Sequence, residues 1–298
     1  MNPEQKSAPI GAIMPASYGA AGASEGAGQG AGKTAHTRRE SWWRANEKIW
    51  LPAAQVLLAC AFLGLWQAIG SVKDLAFYTS TPLLVVKQLQ LWAQQGVLWE
   101  GLRVTLTEAM TGFAIGASAG AILGFALGWV PVLGRLLEPF VILFYSVPKI
   151  ALGPLFVIFF GIGLATKIAL AALVVFFLVF FTTFQGVRQV DQELIAISRV
   201  LGANRWQAMV KIGLPSSTVW ILSGLKIALP NALIGAVVGE FLAATKGIGF
   251  LISNASADLN TSGVFAGVIV LVISSGVLSF ILKRIEDRAL AWQTAGRS

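Results

Sequence analysis

Six stretches of this sequence are apolar for about twenty residues or more: about 49–70, 104–129, 136–162, 165–187, 216–242 and 263–282. A helix of that length crosses the roughly 30 Å hydrocarbon layer of a bilayer, and six such runs take up about half of the chain. Only 12% of the 298 residues are charged and 56% are hydrophobic, whereas a soluble domain carries about 25% charged residues. The expectation is an all-α integral membrane protein of six transmembrane helices.

Within those runs the interruptions carry the information. The second has Gly112, Gly116, Gly120, Gly124 and Gly128, one every fourth residue. Such spacing draws a nearly straight bare stripe on a helix and lets another backbone approach closely. The third run is broken by Pro139, Pro148, Gly153, Pro154, Gly161 and Gly163. Freed carbonyls at membrane depth are tolerated where they meet protein or water. Lys149 stands between two of these prolines. It faces a cavity, reaches the interface or is paired, and a kinked packing helix accounts for it as well as a transport path does. The fifth run holds Lys226, Pro230, Asn231 and Glu240. Lys226 and Glu240 share a face but lie about 21 Å apart at 1.5 Å per residue, so each needs a partner elsewhere. The single cysteine and single histidine, Cys60 and His36, exclude an internal disulfide and a histidine-based metal or triad site.

Outside the runs, residues 1–45 are rich in Ala, Gly and Ser without apolar periodicity and read as a disordered tail. Its segment Ala27 to Thr34 imitates a phosphate loop at Gly32-Lys33-Thr34, but no strand precedes it and no helix follows, so the match is read as accidental. Arg38, Arg39, Arg44 and Lys48 beside Trp42, Trp43 and Trp50 suit a headgroup layer. Thr81-Pro82 opens a short surface helix, with Leu83, Val86, Leu89 and Trp92 expected on its packed face. With the N-terminus inside, fifteen Lys and Arg fall on the inner side, five on the outer, and Lys149 and Lys226 within spans. The positive-inside rule thus explains a pI of 9.9 without nucleic acid and puts both termini in the cytoplasm. The domains expected are the tail 1–45, a transmembrane domain 46–290 containing a loop 188–215, and a C-terminal tail 291–298.

That loop is far longer than a reconnection requires. In Asp191–Pro215, Leu194, Ile197 and Leu201 share a helical face. Gly202 supplies a left-handed end, Asn204 a new cap, and Trp206, Met209, Val210 and Gly213 a second face. Pro215 falls where the next helix would open. The product is a helix–glycine–helix unit outside the membrane, a docking surface.

Gly202, nine residues and then Ile212-x-Leu214-Pro215 resemble the EAA loop of membrane subunits of binding-protein-dependent ABC importers. Ala196-Ile197-Ser198 stands where that family usually has Glu-Ala-Ala, with Glu193 one turn earlier. The stretch Pro148 to Gly163 resembles the nitrate/sulfonate/taurine branch, and the turn Gly247-Ile248-Gly249 resembles the family's Gly-x-Gly turn after the fifth span. The resemblance implies a permease of the type I importer fold that binds no nucleotide and no metal. Two ATPase subunits carrying ATP and magnesium would dock on Glu193, Ala196, Arg199, Gly202, Ala203, Arg205, Trp206 and Pro215. A second permease copy would complete the pathway, with Pro148, Lys149, Pro154, Lys226 and Glu240 as pathway candidates. A periplasmic or lipid-anchored solute-binding protein would deliver the substrate across a bacterial inner membrane. A small anion is implied, although the branch also contains importers of aromatic acids and vitamin precursors. The alternative is an ATP-independent secondary transporter or channel, for which the spans hold few acids and no inverted repeat. An intramembrane enzyme would need a Ser–Lys pair, and no serine is spaced to meet Lys149 or Lys226.

Overall fold

The computed structural model describes residues 47–72 and 78–289, and every regular element among them is helical. The expected tails, the phosphate-loop imitation and the basic-tryptophan segment before residue 47 lie outside the described residues. In chain order the elements are α1 (Glu47–Gly70), α2 (Pro82–Gln94), α3 (Val97–Trp129), α4 (Pro131–Ser146), a 3₁₀ turn (Lys149–Leu152), α5 (Gly153–Phe160), α6 (Leu164–Arg188), α7 (Gln192–Val200), α8 (Arg205–Ala208), a π turn (Met209–Gly213), α9 (Leu214–Ala243), α10 (Ile248–Ala257) and α11 (Thr261–Ala289). Contacts divide the chain into Met1–Phe62 and Leu63–Ser298. The first unit contributes the opening turns of α1; the second holds all that follows.

Five helical stretches are long and apolar enough to span a bilayer: Trp50–Gly70, Val97–Trp129, Leu164–Arg188, Arg205–Ala243 and Thr261–Arg288. The pair Pro131–Ser146 and Lys149–Phe160, bent by 76°, forms a sixth, broken span. The break falls at Val147-Pro148, while Pro139 lies inside α4 without ending it. Proline removes an amide donor and excludes helical geometry from the residue before it. Val147 accordingly takes φ −62°, ψ 130°.

The second unit is built around α6, which lies between α3 and α9. Ala109 and Ala117 of α3, Ala171, Val175 and Val179 of α6, and Ala228, Ala232, Leu233 and Ala236 of α9 form its core. The glycine stripe of α3 faces α6 along its whole length. A Cβ added at Gly120 or Gly124 would lie 2.7 Å from the carbonyl oxygen of Phe176 or Phe180, and one at Gly128 would lie 3.0 Å from that of Phe184. Gly112 and Gly116 meet α6 at Ala171, Ala172 and Phe176. On the other side, a Cβ at Gly235 would lie 2.8 Å from the Ala171 Cα. Lipid tails offer no hydrophobic gain for helix association, so close backbone approach supplies dispersion contact in its place.

Three expectations need correction. The α2 helix begins as expected, with the Thr81 hydroxyl accepting from the Leu84 amide, but it buries Val85 and Trp92 with Leu89 half-buried; Leu83 and Val86 are exposed. Apolar residues lie on every side of that helix, so periodicity alone did not select the face that meets Ala266 and Phe265. The second span starts at Val97, not near 104, because polar Glu100 and Arg103 sit in its exposed first turns. The second docking helix is not a separate element: Arg205–Ala243 runs as one apolar helical stretch, with a π turn before Pro215 in place of a break. A proline ring collides with the carbonyl four residues earlier. Widening the turn to the five-residue pattern, Leu214 amide to Met209 carbonyl, relieves that collision.

Candidate functional site

The docking loop is fixed by local hydrogen bonds from end to end. The Asp191 carboxylate caps α7 by accepting from the Glu193 amide at 2.8 Å. At the other end Gly202 takes φ +87°, its amide donates to the Arg199 carbonyl, and the Ala203 amide donates to the Ser198 carbonyl. Those two bonds make a Schellman closure that a side chain at Gly202 would strain. Asn204 and Gln207 then form a reciprocal capping box at 2.8 and 2.9 Å. Ile195 and Ala208 face inward and are buried. Gly213 lies so close to the Trp129 ring that a Cβ would overlap it.

What the loop turns outward is apolar. Leu194, Ile197, Leu201 and Trp206 are 50%, 56%, 81% and 68% exposed. Glu193, Ala196, Arg199 and Arg205 are exposed around them, with Ala203 and Pro215 half-buried. The loop is thus a capped platform whose large apolar residues are left exposed by the described residues.

The pathway candidates separate. Lys149, in the 3₁₀ turn, donates to the Tyr145 carbonyl, and its ammonium lies 4.6 Å from the Tyr145 ring centre and 5.3 Å from that of Phe177. It lines a cavity of ≈ 380 Å³ with Tyr145, Pro148, Val174 and, from α9, Asn231. The sequence reading singled out Asn231 only as part of the fifth span; its place beside Lys149 depends on the packing of α9 against α6. Pro154 opens α5 at its first turn, outside the cavity wall. Lys226 does not line this cavity and forms an ion pair with Glu286 of α11 at 2.8 Å.

Glu240 is buried and fully used. Thr105 donates to one carboxylate oxygen at 2.6 Å, and the Gly249 amide donates to the other at 2.5 Å. The Thr105 hydroxyl also accepts from the Ile248 amide at 2.9 Å. The Gly247-Ile248-Gly249 turn therefore wraps a carboxylate, and a Cβ at Gly247 would collide with it. One turn along α3 from Thr105, Glu108 pairs with Lys167 of α6 at 2.5 Å, both side chains buried. The sequence placed Lys167 among the outer charges; the long α3 supplies the carboxylate that draws it inside. Among the described residues no group of three or more metal-ligating side chains occurs.

Comparison with known proteins places the chain in a family. The family model for binding-protein-dependent transport system inner membrane components matches residues 100–291. The putative aliphatic sulfonates transport permease protein SsuC of Bacillus subtilis is 31% identical over 241 residues, 80% of this chain and 87% of the relative. The taurine transport system permease protein TauC of Escherichia coli is 31% identical over 264 residues, 86% of this chain and 95% of the relative. The riboflavin transport system permease protein RibX of Chloroflexus aurantiacus is 30% identical over 246 residues, 82% and 90% of the two chains. Among solved structures, an inward-facing MetNI methionine ABC transporter aligns with a TM-score of 0.52 at 24% identity, covering 65% of this chain and 94% of that one. A bacterial ABC transporter importing alginate aligns with a TM-score of 0.55 at 16% identity, covering 83% and 99%.

Proposed function

The chain belongs to the family of binding-protein-dependent transport system inner membrane components, and we propose that it is the permease of an ATP-driven importer of a small organic or inorganic anion. The observation that carries the coupling half of this reading is the docking platform: a rigid unit outside the spans whose outward face is Leu194, Ile197, Leu201 and Trp206. Force passes between an ATPase and a membrane helix only through a stiff, packed contact. The caps at Asp191, Gly202 and Asn204 make the platform stiff, and the apolar face gives a partner something to pack on. Two ATPase subunits dock there with their own ATP and magnesium. A second copy of this chain completes the pathway, and a solute-binding protein delivers substrate from the other side. The multi-pass chain lies in a bacterial inner membrane with both termini in the cytoplasm.

The anion is supported by Lys149, a cation in the broken span beside an amide donor, Asn231, in a cavity otherwise lined by apolar and aromatic side chains. Sulfonate and taurine transport by relatives favours an anion carrying a sulfonate or similar oxyanion.

The test is co-purification of the ATPase together with ATP-driven uptake in proteoliposomes. Gly202→Val, which forces a branched side chain into a left-handed backbone at a cost of about 1–2 kcal/mol, is expected to insert and fold yet lose most ATPase capture and uptake. Normal values of both would refute the coupling role. Uptake by this chain alone without ATP would instead favour a secondary transporter. Lys149→Gln is expected to slow uptake severalfold while leaving ATPase capture at the parental level; unchanged uptake would return Lys149 to a packing role.

A further inference from the structure

The turn between α3 and α4, the end of α6 and the docking loop enclose a cleft of ≈ 960 Å³. Four arginines reach its wall: Arg135 from α4, Arg188 from α6, Arg199 from α7 and Arg205 from α8. No carboxylate lines it. Glu138 compensates Arg188 at 2.6 Å, while Arg135, Arg199 and Arg205 make no ion pair among the described residues. Much of the remaining wall is apolar, with Trp129, Val130, Val132 and Trp206 prominent.

Two properties of the cleft narrow what fits it. Uncompensated guanidinium groups on an apolar wall suit an amphiphile better than a free ion, which gains nothing from Trp129 or Val132. The cleft also opens where three spans end, since α3 stops at Trp129, α4 starts at Pro131 and α6 stops at Arg188. That is the level at which hydrocarbon gives way to headgroups, and indole and guanidinium groups are favoured there. Basic pockets between helix ends recognise anionic headgroups, each nearby Lys or Arg contributing about 1 kcal/mol.

We propose that this cleft binds the headgroup of an anionic phospholipid, its phosphate held by Arg135, Arg199 and Arg205 and the adjoining glycerol and first methylenes lying against Trp129 and Val132. Because two of these arginines belong to the docking loop and one to the broken span, a bound lipid bridges the platform to α4. Membrane charge thereby becomes a determinant of how firmly the platform is seated. The proposal holds whichever leaflet the cleft faces and is separate from the identity of the transported solute.

The test uses the full-length purified chain and native mass spectrometry with added phosphatidylglycerol or phosphatidylcholine. The parent is expected to retain phosphatidylglycerol at least tenfold better than phosphatidylcholine. Arg135→Gln lowers that retention about fivefold, Arg135→Gln with Arg205→Gln lowers it further, and Arg135→Lys keeps most of it. Arg284→Gln, a charge removed from α11 outside the cleft, leaves it unchanged. Equal retention of the two lipids by the parent, or parental retention by the double variant, would overturn the proposal. Displacement of the lipid by millimolar inorganic phosphate would mean that the cleft reads the phosphate alone, and the lipid assignment would fail. A third arm measures ATPase capture in nanodiscs of phosphatidylcholine only. If Arg135→Gln abolishes capture there, the arginines serve an acidic surface of the protein partner, and the lipid assignment fails.

Discussion

The glycine stripe on the seam of α3 against α6 and the outward apolar residues of the docking loop are both uncharged, apolar surfaces, yet they solve opposite problems. On the seam, five glycines in register remove side chains so that two backbones of the same chain meet. On the platform, Leu194, Ile197, Leu201 and Trp206 stand out from a capped scaffold and are at least half exposed among the described residues. Exposure alone would not distinguish them from a lipid-facing residue such as Ile122, which is 67% exposed on a span. The platform differs because it is built from short helical turns around Gly202, and because Asp191, Gly202 and Asn204 cap its backbone. Small residues in register mark a surface whose complement is in the same molecule. Large exposed residues on a rigid extramembrane unit mark one whose complement is elsewhere.

That contrast can be broken by measurement, beginning where the stability change is largest. Glu108→Ala leaves Lys167 buried and uncompensated on the seam, and removing one partner of a buried pair costs about 3–5 kcal/mol. Thermal unfolding of the purified chain should fall sharply, and Glu108→Leu combined with Lys167→Leu should recover much of the loss. A normal melting profile for Glu108→Ala would mean that water reaches the pair and the seam is looser than described. Gly120→Leu is next. Its side chain would enter the Phe176 carbonyl at the seam, and overpacking of this kind costs about 1–3 kcal/mol, read as a lower folded yield by size-exclusion chromatography. Smallest in stability is Trp206→Ala, expected within about 0.5 kcal/mol of the parent because the side chain is mostly exposed. Its effect should appear only in ATPase capture, weakened by an amount comparable with an interface anchor, about 2 kcal/mol or roughly thirtyfold. Destabilisation of the isolated chain by Trp206→Ala would erase the distinction between the two surfaces.

Much of this was readable from residues alone, and the failures share a cause. The glycine stripe, the Thr81 cap, the left-handed Gly202 and the Asn204 cap are local rules, each settled within one or two turns of chain. The run of small residues even predicted the close approach, although not that α6 would be the partner. What escaped were relations between distant segments. Glu108 and Lys167 are 59 positions apart, and neither residue's flanking sequence hints at the other. Lys149 and Asn231 meet at one cavity because α9 packs beside α6. The face of α2 was misassigned because its apolar residues crowd every side and only Ala266 and Phe265 choose among them. The π turn was missed for a subtler reason: Pro215 signalled a helix start, while the chain absorbed the proline by widening one turn.

That widened turn has a mechanical consequence. Because Arg205–Ala243 is one helical stretch, Trp206 at its tip and Asn231 beside the Lys149 cavity are ends of a single strut, twenty-five residues and about 38 Å apart at 1.5 Å per residue. A continuous helix transmits a push more directly than a loop would, and its two irregularities before Asn231 are the π turn and Pro230. The π turn is wound differently from its surroundings, so torque applied at the platform finds its softest element there. Tightening Met209–Gly213 by one hydrogen bond would rotate everything beyond it about the helix axis, Asn231 included. The same proline that marks the boundary of the docking segment thus sets the place where the winding of this helix changes.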